Sequence, residues 1–507
     1  MTFYVTTPIY YVNATPHVGH AYTTIAADVL ARHHRQRGDE VFFLTGTDEH
    51  GSNIPRVAEE QGLDLREFVD RNSAAFRRMT EKVASSNDFF IRTTDERHET
   101  LVQEFLQRLY DAGHVREGVY AGLYCARCES FYTEAELVDG LCPLHGIPPE
   151  FVEEKNYFFR LSSFQEPLLR LYDAQPELVL PRMRYNEARR FIEQGLEDIS
   201  VSRERQRWGV PVPWDREQIV YVWVDALINY WSALGFARPE RDLRAELWPE
   251  VRHLLGKDIL KFHCVIWPAL LLGAGLEPPR QLFVHGYLLQ DERKMSKSLG
   301  NVIDPLDLID VYGVDPIRFY LFRQVAFGHD GSISVESVHA RYERELGNDL
   351  GNLLSRTTAM VARYRGGRLE QAAVSPELAS DAEALRQTVA ERLDRFDVSG
   401  ALESVWEHVR RLNRHVEQSA PWQLAKDDSR AEELDRVLYE LADGLRAVAV
   451  ALAAYMPETA PRILAALGQP VDLGWETVAA GATAGAAGIE ASPPLFPRVE
   501  APGAAAA

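Results

Sequence analysis

Two short strings of the sequence hold residues suited to binding phosphate groups. His17 and His20 stand three residues apart at the start of a predicted helix, where free N–H groups and the helix dipole favour anions. Gly19, between them, leaves the backbone open to a flat ligand. Lys294 and Lys297 stand among small hydroxyl residues in a later string, which is typical of a mobile loop that lays ammonium groups on phosphates. Taken singly, either string is more often an ordinary surface segment.

A third cluster has the spacing of a metal site. Cys125 and Cys128 are followed, after thirteen intervening residues, by Cys142 and His145, which gives four ligands in two knuckle pairs. Such a closed tetrahedral set is typical of structural zinc. The alternative is a chance grouping, since Cys264 shows that thiols also occur elsewhere. Four Cys are too few to staple 507 residues with disulfides, so we predict one structural zinc ion.

Composition excludes several classes of protein. With 46% hydrophobic residues the chain has ample material for large cores, so a fibrous or disordered protein is excluded. A net charge of −20 argues against general coating of a polyanion, although a local basic face remains possible. No apolar run is long enough to cross a bilayer, and no basic segment precedes the apolar N-terminus. We therefore expect a soluble, multidomain, cytoplasmic protein that has no membrane partner.

The elements that position these residues are predicted to fall into two kinds. Strand 2–6, helix 17–37 and strand 41–44 form a βαβ unit, which implies a parallel sheet whose ligand crevice lies at the carboxyl ends of its strands. Further strand-like runs are 219–223, 251–255 and 281–285, so an insertion splits this α/β core. Beyond about residue 330 the pattern predicts a helix bundle, with helices over 336–365, 376–395, 398–418 and 430–455. From 478 onward we expect poor order, apart from 495–497.

The two phosphate-binding strings together resemble the HIGH and KMSKS signatures of class I aminoacyl-tRNA synthetases, with Val18 at the variable position of the first. The carboxylate of an amino acid is already a nucleophile and needs no general base. The site must instead hold the carboxylate in line with the α-phosphate of ATP and neutralise the charge that grows on the phosphate oxygens. The resemblance implies that His17, His20, Lys294 and Lys297 do this, with Mg²⁺ accompanying ATP. It implies an ATP site of His17, Gly19, His20, Gly256, Asp258, His285, Gly286, Lys294 and Lys297.

Further strings resemble the methionyl-tRNA synthetases, over about residues 1–500. They lie at 8–13, 45–51, 222–226 and 256–263. The resemblance implies a methionine pocket of Ile9, Tyr11, Asp48, Trp223, Ala226, Leu227, Tyr230, Ile259 and His263. Asp48 would hold the ammonium group, and an aromatic-walled apolar slot suits a flexible thioether. Leu227 replaces a Pro found in some members of the family. Without the resemblance, Trp223 and Tyr230 are more simply interpreted as core aromatics.

The resemblance extends to the insertion and the bundle. Many family members have Cys where this chain has His145, and imidazole is an equally good zinc ligand. In the bundle, Asn352 and Arg356 share a helix face, and with Trp422 they match residues that read the CAU anticodon by edge hydrogen bonds and stacking. Alone, they would indicate a solvated helix face and a core aromatic. Arg203 resembles a position that returns from the insertion to the active site.

Six segments are expected. They are 1–114, the first half of the catalytic fold; 115–215, the connective insertion with the zinc knuckle; 216–292, the second half of the fold; 293–335, the KMSKS loop and stem-contact region; 336–477, the anticodon-binding bundle; and 478–507, a tail rich in Ala, Gly and Pro. The insertion is too short to include the large editing domain of the valine, isoleucine and leucine enzymes, which favours methionine.

The resemblance implies a methionine–tRNA ligase (EC 6.1.1.10). It would convert methionine and ATP into methionyl-adenylate and transfer the methionyl group to the terminal ribose of initiator and elongator tRNA(Met). No dimerising C-terminal domain is recognisable before Ala507, so a monomer is expected. Two alternatives remain: a synthetase for another apolar amino acid, and a non-catalytic RNA-binding paralogue.

Overall fold

A parallel sheet forms the core of the N-terminal half of the protein. The computed structural model describes residues 1–127, 129–143, 145–290, 293–294 and 305–500, with only the backbone described at 290, 293, 294 and 305. Within these residues the sheet has seven strands, every adjacent pair of which is parallel. In spatial order they are Phe89–Arg92, Glu40–Asp48, Thr2–Thr6 with Tyr10–Tyr11 beyond its end, Val251–Gly256, Gln281–His285 and Val179–Leu180. The predicted α/β core is confirmed.

Two strands depart from the sequence-based expectation. The apolar run 219–223 is not a strand of this sheet: Asp215–Val220 joins a small antiparallel sheet, and a buried helix begins at Val222. A short apolar run fits a buried helix as well as a strand, which explains the error. Val179–Leu180, from within the expected insertion, pairs with Leu282–Phe283 at the edge of the parallel sheet. Two residues are too few to produce a periodic signal.

Helices cover both faces of the sheet. The first, Val18–Gln36, matches the predicted 17–37 and is followed by Gly38 at φ +80°, a backbone conformation that favours glycine. The other α-helices of this half are Asn53–Glu60, Leu65–Lys82, Glu96–Asp111, Gln165–Ala174, Arg182–Glu193, Val222–Phe236, Arg244–Leu247 and Trp267–Gly273. Shorter helical turns are Glu134–Glu136, Leu161–Phe164, Trp248–Glu250, Lys257–Ile259 and the π-helical Phe262–Ile266.

The insertion is mainly an antiparallel sheet that lies beside the carboxyl ends of the parallel strands. Its strands are Val115–Cys125, Ser130–Tyr132, Glu150–Phe159 and Ile199–Ser200. Ser202–Arg203, Pro211–Val212 and Asp215–Val220 form a second small sheet on the return to the core. After the last parallel strand, Leu288–Gln290 pairs with both Arg293–Lys294 and Gly331–Ser332.

The C-terminal half is helical, as predicted. Its α-helices are Pro305–Tyr312, Val314–Gln324, Val335–Arg341, Asn352–Arg365, Pro376–Asp394, Val398–Ser419, Pro421–Leu424, Ala431–Leu452 and Thr459–Ala466. A π-helical stretch, Tyr342–Gly351, leads into Asn352–Arg365, and 3-10 turns occur at Asp428–Arg430 and Trp475–Val478. None of the described helices combines the length and apolar character that a membrane span requires.

One buried ion pair joins the two halves. Arg318, fully buried in Val314–Gln324, lies 2.6 Å from Asp28 in the first helix. Its remaining N–H groups donate to the carbonyls of Val83, Ala454 and Tyr455. This guanidinium thus ties the α/β core to the end of the long bundle helix Ala431–Leu452.

The prediction of poor order after 478 is wrong for residues up to Glu500. Thr483 is fully buried, and Ile489 packs against the bundle core. Leu495 and Phe496, the expected exception, pack there as well. Arg446 donates hydrogen bonds to the carbonyls of Thr477 and Ala479. Gly and Pro lower the propensity for helix and strand, but these side-chain donors satisfy the backbone of an irregular segment instead.

Candidate active site

A cavity of about 930 Å³ lies between the carboxyl ends of the parallel strands and the insertion. It is lined by every described residue that the sequence assigned to the two small substrates: Ile9, Tyr11, His17, Gly19, His20, Asp48, Trp223, Ala226, Leu227, Tyr230, Gly256, Asp258, Ile259, His263, His285 and Gly286. Lys297 lies outside the described residues, and Lys294 is described only as backbone in the strand Arg293–Lys294. Strand ends brought together from distant parts of the chain build this wall.

The two signature imidazoles hold each other in place at the first helix. Nδ1 of His17 accepts from the N–H of Gly19 at 3.1 Å, and Nδ1 of His20 accepts from the N–H of His17 at 3.1 Å. The rings stack with centroids 3.8 Å apart. An accepting Nδ1 leaves the ring proton on Nε2, so both rings present an Nε2–H donor. A Cβ at Gly19 would lie 2.9 Å from the ring of His17, so glycine also leaves room for this ring.

The last parallel strand, Gln281–His285, adjoins the first helix in the cavity wall. His285 lies 2.8 Å from the Thr23 hydroxyl through Nε2 and 2.8 Å from the Gly286 carbonyl through Nδ1. Burial lowers the pKa of His285, so the ring is neutral and donates its Nδ1–H to the carbonyl. A Cβ at Gly286 would lie 2.3 Å from the backbone of His329, which explains the glycine.

An ion pair fixes the segment that carries Lys294. Lys257 lies 2.6 Å from Asp330, whose other oxygen accepts from the N–H of Tyr287 at 2.8 Å. Asp330 directly precedes the strand Gly331–Ser332. The middle strand of this small sheet, Leu288–Gln290, pairs with Gly331–Ser332 on one side and with Arg293–Lys294 on the other. The base of this small sheet is therefore tied to the cavity wall.

The apolar slot of the cavity has aromatic walls and one neutral polar pair. Trp223 stacks on Phe262 with centroids 4.0 Å apart and planes 8° apart. The Tyr230 hydroxyl lies 2.8 Å from Nε2 of His263, whose Nδ1 donates to the carbonyl of Ile259. Burial lowers the pKa of His263 to about 4, so the ring is neutral at pH 7 and its Nε2 accepts from Tyr230.

Asp48 places a buried carboxylate at the edge of this slot. It ends the strand Glu40–Asp48, and its Oδ1 has no hydrogen-bond partner among the described residues. Burial, followed by the charge of Asp225, raises the pKa of Asp48 well above its usual value. A buried carboxylate oxygen without a protein donor is costly, and it suits a ligand that supplies a positive charge.

Sequence reasoning missed the network behind Asp48. Oδ2 of Asp225 lies 2.7 Å from Nδ1 of His50, and Oδ1 lies 2.8 Å from Nε2 of His98. All three side chains are buried. Burial would raise the pKa of Asp225, but the two histidines outweigh it and lower that pKa to about 2. Burial would lower the pKa of His50, but the attraction of Asp225 raises it. The strings 45–51 and 222–226 contained His50 and Asp225 but not His98, and they gave no sign that these residues meet.

Three of the four expected metal ligands converge in the insertion. Nδ1 of His145 lies 3.9 Å from Sγ of Cys125 and 3.8 Å from Sγ of Cys142. The three ligand atoms all lie within 4.8 Å of one another. Ligands about 2.3 Å from a tetrahedral zinc ion are about 3.8 Å apart, so the residues present fit that ion. Cys128 lies outside the described residues.

The bundle brings two of the three expected anticodon residues together. The guanidinium of Arg356 lies 6.0 Å from the centroid of the half-buried Trp422 ring and pairs with Glu417 at 2.7 Å. Asn352 is exposed one turn earlier on the same helix. An exposed amide, a guanidinium and an indole thus share one surface, which fits edge recognition and stacking of unpaired bases.

Arg203 does not line the cavity. It is buried in the return strand, pairs with Glu154 at 2.8 Å and lies over the ring of Tyr124 at 4.1 Å. Its charge is therefore used inside the insertion, so the expected contact with the active site is absent from this structure.

Comparison with known proteins gives consistent matches. The family model "tRNA synthetases class I (M)" matches residues 3–147 and 136–358. The methionine–tRNA ligase of Caldanaerobacter subterraneus is 44% identical over 504 residues, covering 98% of this chain and 79% of the relative. That of Streptomyces coelicolor is 44% identical over 532 residues, covering 98% and 97%. The structure of Mycobacterium tuberculosis methionyl-tRNA synthetase in complex with methionyl-adenylate superimposes with a TM-score of 0.94 and 39% identity, over 98% of this chain and 100% of that one.

Proposed function

The chain belongs to the methionine–tRNA ligases within the class I tRNA synthetases, and from this premise we propose which residues carry each part of the reaction. Its activity is the activation of methionine with ATP to methionyl-adenylate, followed by charging of tRNA. The two alternatives, an enzyme for another apolar amino acid and a non-catalytic paralogue, have no comparable support from the relatives.

Methionine would lie in the slot beside Asp48. The ammonium group pairs with the carboxylate of Asp48, whose Oδ1 lacks a protein donor. The thioether packs between Trp223 and the neutral Tyr230–His263 pair. Ile9, Tyr11, Ala226, Leu227 and Ile259 complete the wall. The unpartnered carboxylate oxygen at the edge of an aromatic slot is the observation that carries this assignment.

ATP would lie on the other side, against the first helix and the ends of the last two parallel strands. His17 and His20 each offer an Nε2–H donor toward charge on the phosphates. Gly19, Gly256 and Gly286 keep the wall free of side chains at the nucleotide. Asp258 and His285 line the same part of the cavity.

The reaction requires positioning rather than proton abstraction. A carboxylate oxygen of methionine attacks the α-phosphorus, the bond to the bridging oxygen breaks, and pyrophosphate leaves with that electron pair. Charge grows on the phosphate oxygens, where the Nε2–H groups of His17 and His20 and the ammonium groups of Lys294 and Lys297 would stabilise it. Magnesium would be bound with ATP.

Two further assignments concern the zinc and the anticodon. Cys125, Cys128, Cys142 and His145 would hold one structural zinc ion, since the three described ligand atoms are spaced as tetrahedral coordination requires. Asn352, Arg356 and Trp422 would contact the anticodon of tRNA(Met), because they form one surface of the bundle.

ATP–pyrophosphate exchange with each of the twenty amino acids tests the activation step. Exchange is expected with methionine only, and Lys297→Ala is expected to reduce it by about 10²–10³-fold. Lys426→Ala is the matched control, because Lys426 is exposed in the bundle and pairs with Gln423. Strong exchange with another amino acid would contradict the methionine pocket, and equal exchange in the two lysine variants would contradict the role of Lys297.

A further inference from the structure

The loop between the strands Val115–Cys125 and Ser130–Tyr132 is called the metal-binding loop, because it holds the expected ligand Cys128. The carboxylate of Glu129, in this loop, reaches the proposed methionine pocket. Oε1 accepts from the N–H of Asn53 at 2.8 Å, from the Ser52 hydroxyl at 2.9 Å and from the Tyr11 hydroxyl at 3.2 Å. Oε2 accepts from Ser52 at 2.9 Å and from Tyr124. The residue is only 2% exposed, so this carboxylate is buried and bound by several donors at once.

The position of Glu129 in the chain gives these contacts their significance. It directly follows Cys128, the second expected zinc ligand, and its own carbonyl accepts from the Tyr221 hydroxyl. Tyr11 belongs to the two-residue strand that pairs with the end of Glu40–Asp48, where it lies opposite Asp48. Glu129 of the metal-binding loop therefore holds Tyr11, which is the neighbour of Asp48, the proposed partner of the substrate ammonium.

The backbone at this position favours glycine rather than glutamate. Glu129 has φ +53°, in the left-handed region that a residue with a side chain rarely adopts. The opposing Gly51, at φ +108°, leaves room for the contact, because a Cβ there would lie 2.9 Å from Oε1 of Glu129 and 3.0 Å from the Tyr11 hydroxyl. A glutamate retained in an unfavourable conformation and fully bound through its side chain indicates that the carboxylate has a use.

We propose that Glu129 is a positioning residue for methionine binding: its carboxylate fixes the Tyr11 hydroxyl, and thereby makes the metal-binding loop part of the methionine pocket. This inference rests on the proposed place of Tyr11 in that pocket. Glu129 does not touch the reacting atoms. It acts through Tyr11, so its loss weakens methionine binding and leaves the binding of ATP unchanged.

Two substitutions separate the carboxylate from the backbone. Glu129→Gln keeps the shape and removes the charge, so the Tyr11 hydroxyl loses a charge-assisted bond whichever way the amide turns. Glu129→Gly suits the left-handed backbone and deletes the carboxylate. Both substitutions are expected to raise two constants for methionine by about tenfold: the Kd, measured by calorimetry, and the KM in pyrophosphate exchange. The KM for ATP is expected to stay within twofold of wild type. Zinc content, measured by elemental analysis, stays at the wild-type value. Glu134→Gln, exposed in the same insertion, is the matched control and behaves as wild type.

A cycle with Tyr11→Phe tests whether the effect passes through that hydroxyl. Tyr11→Phe is expected to weaken methionine binding, and adding Glu129→Gln to it is expected to cost less than threefold more, because the bond is already lost. Fully additive losses would overturn the proposal, as would a methionine Kd within twofold of wild type in Glu129→Gln. Loss of zinc in proportion to the loss of methionine binding would also overturn it, since the residue would then act only by folding the loop.

These results are distinct from a failure of the proposed function. Absence of methionine-dependent exchange in the wild-type protein would remove the function itself. Normal methionine binding in Tyr11→Phe would show that the Tyr11 hydroxyl has no part in binding and would refute the role of Glu129 as well. Impaired Tyr11→Phe together with normal Glu129→Gln would leave the pocket standing and refute the role of Glu129.

Discussion

Replacing Asp225 with Asn is expected to loosen the helix that carries much of the proposed methionine slot. Helix Val222–Phe236 holds Trp223 and Tyr230, and Asp225 anchors it to His50 and His98 on neighbouring elements. All three members of this network are buried, so no water replaces a lost partner. The isosteric amide keeps the shape of the side chain and removes its charge.

The magnitude follows from the electrostatics of the network. The pKa of Asp225 is lowered from 3.8 to about 2, which corresponds to about 2 kcal/mol in favour of the ionised form. The Asp225 contribution is present above its unfolded pKa of 3.8 and is lost as pH falls through about 2. The pKa of His50 is raised, so its contribution is complete below its unfolded value of 6.5 and is lost as pH rises through the folded value. The effect of the substitution is therefore largest between about pH 4 and 6.5.

Amide hydrogen exchange measures this local stability directly. At pH 6, about 2 kcal/mol corresponds to roughly 30-fold faster exchange of the amides of Val222–Phe236 that open locally. The bundle helix Ala431–Leu452 is an internal reference that should not change. Glu104→Gln, an exposed change on the helix that carries His98, is the matched control.

Two results would refute this reasoning. Exchange in Asp225→Asn within twofold of the Glu104→Gln control at pH 6 would mean that the charge does not hold the helix. A difference that grows as pH rises from 6 to 9, after correction for intrinsic exchange, would have the wrong sign for a protonated His50.

Three further outcomes are expected. Methionine affinity, measured by calorimetry from pH 8 down to 5.5, should fall by up to tenfold per pH unit below the raised pKa of Asp48, because binding requires the ionised carboxylate. Asp48→Asn should bind methionine weakly and show no such slope, and His263, with a pKa of about 4, does not titrate in this range. Equal slopes in both proteins would disprove the assignment of Asp48. Trp422→Ala and Arg356→Ala should each lower the kcat/KM for tRNA by about 1–3 kcal/mol of transition-state stabilisation and leave methionine-dependent pyrophosphate exchange intact. Unaltered charging of tRNA would exclude the assignment of these residues to the anticodon. Arg318→Met should destabilise the protein by about 3–5 kcal/mol, since it leaves the carboxylate of Asp28 buried with fewer partners. Arg323→Met should cost less in the same thermal denaturation series, because Glu345 and Glu403 keep Arg341 and Arg410 as partners.

The sequence by itself determined the features that depend on residues close together in the chain. The strand–helix–strand opening, the helical C-terminal half and the paired signatures are local patterns, and each was identified without knowledge of contacts. Resemblance over the whole chain then indicated methionine, which the relatives confirm. The zinc ligands and the anticodon residues remain predictions that the geometry of the described residues suits.

Tertiary structure alone decided which polar residues meet. Asp225 and His50 are 175 positions apart and Glu129 and Tyr11 are 118 apart, so no periodicity connects them. Asp and Glu are residue types that are mostly exposed, and only burial with a specific partner turns Asp225 and Glu129 into parts of a site. The same holds for the edge strand Val179–Leu180 and for the packed segment after 478, which have weak local preferences and are ordered by what they lie against. Local preference selects the elements, whereas long-range burial fixes the hydrogen bonds that make them a catalytic cavity.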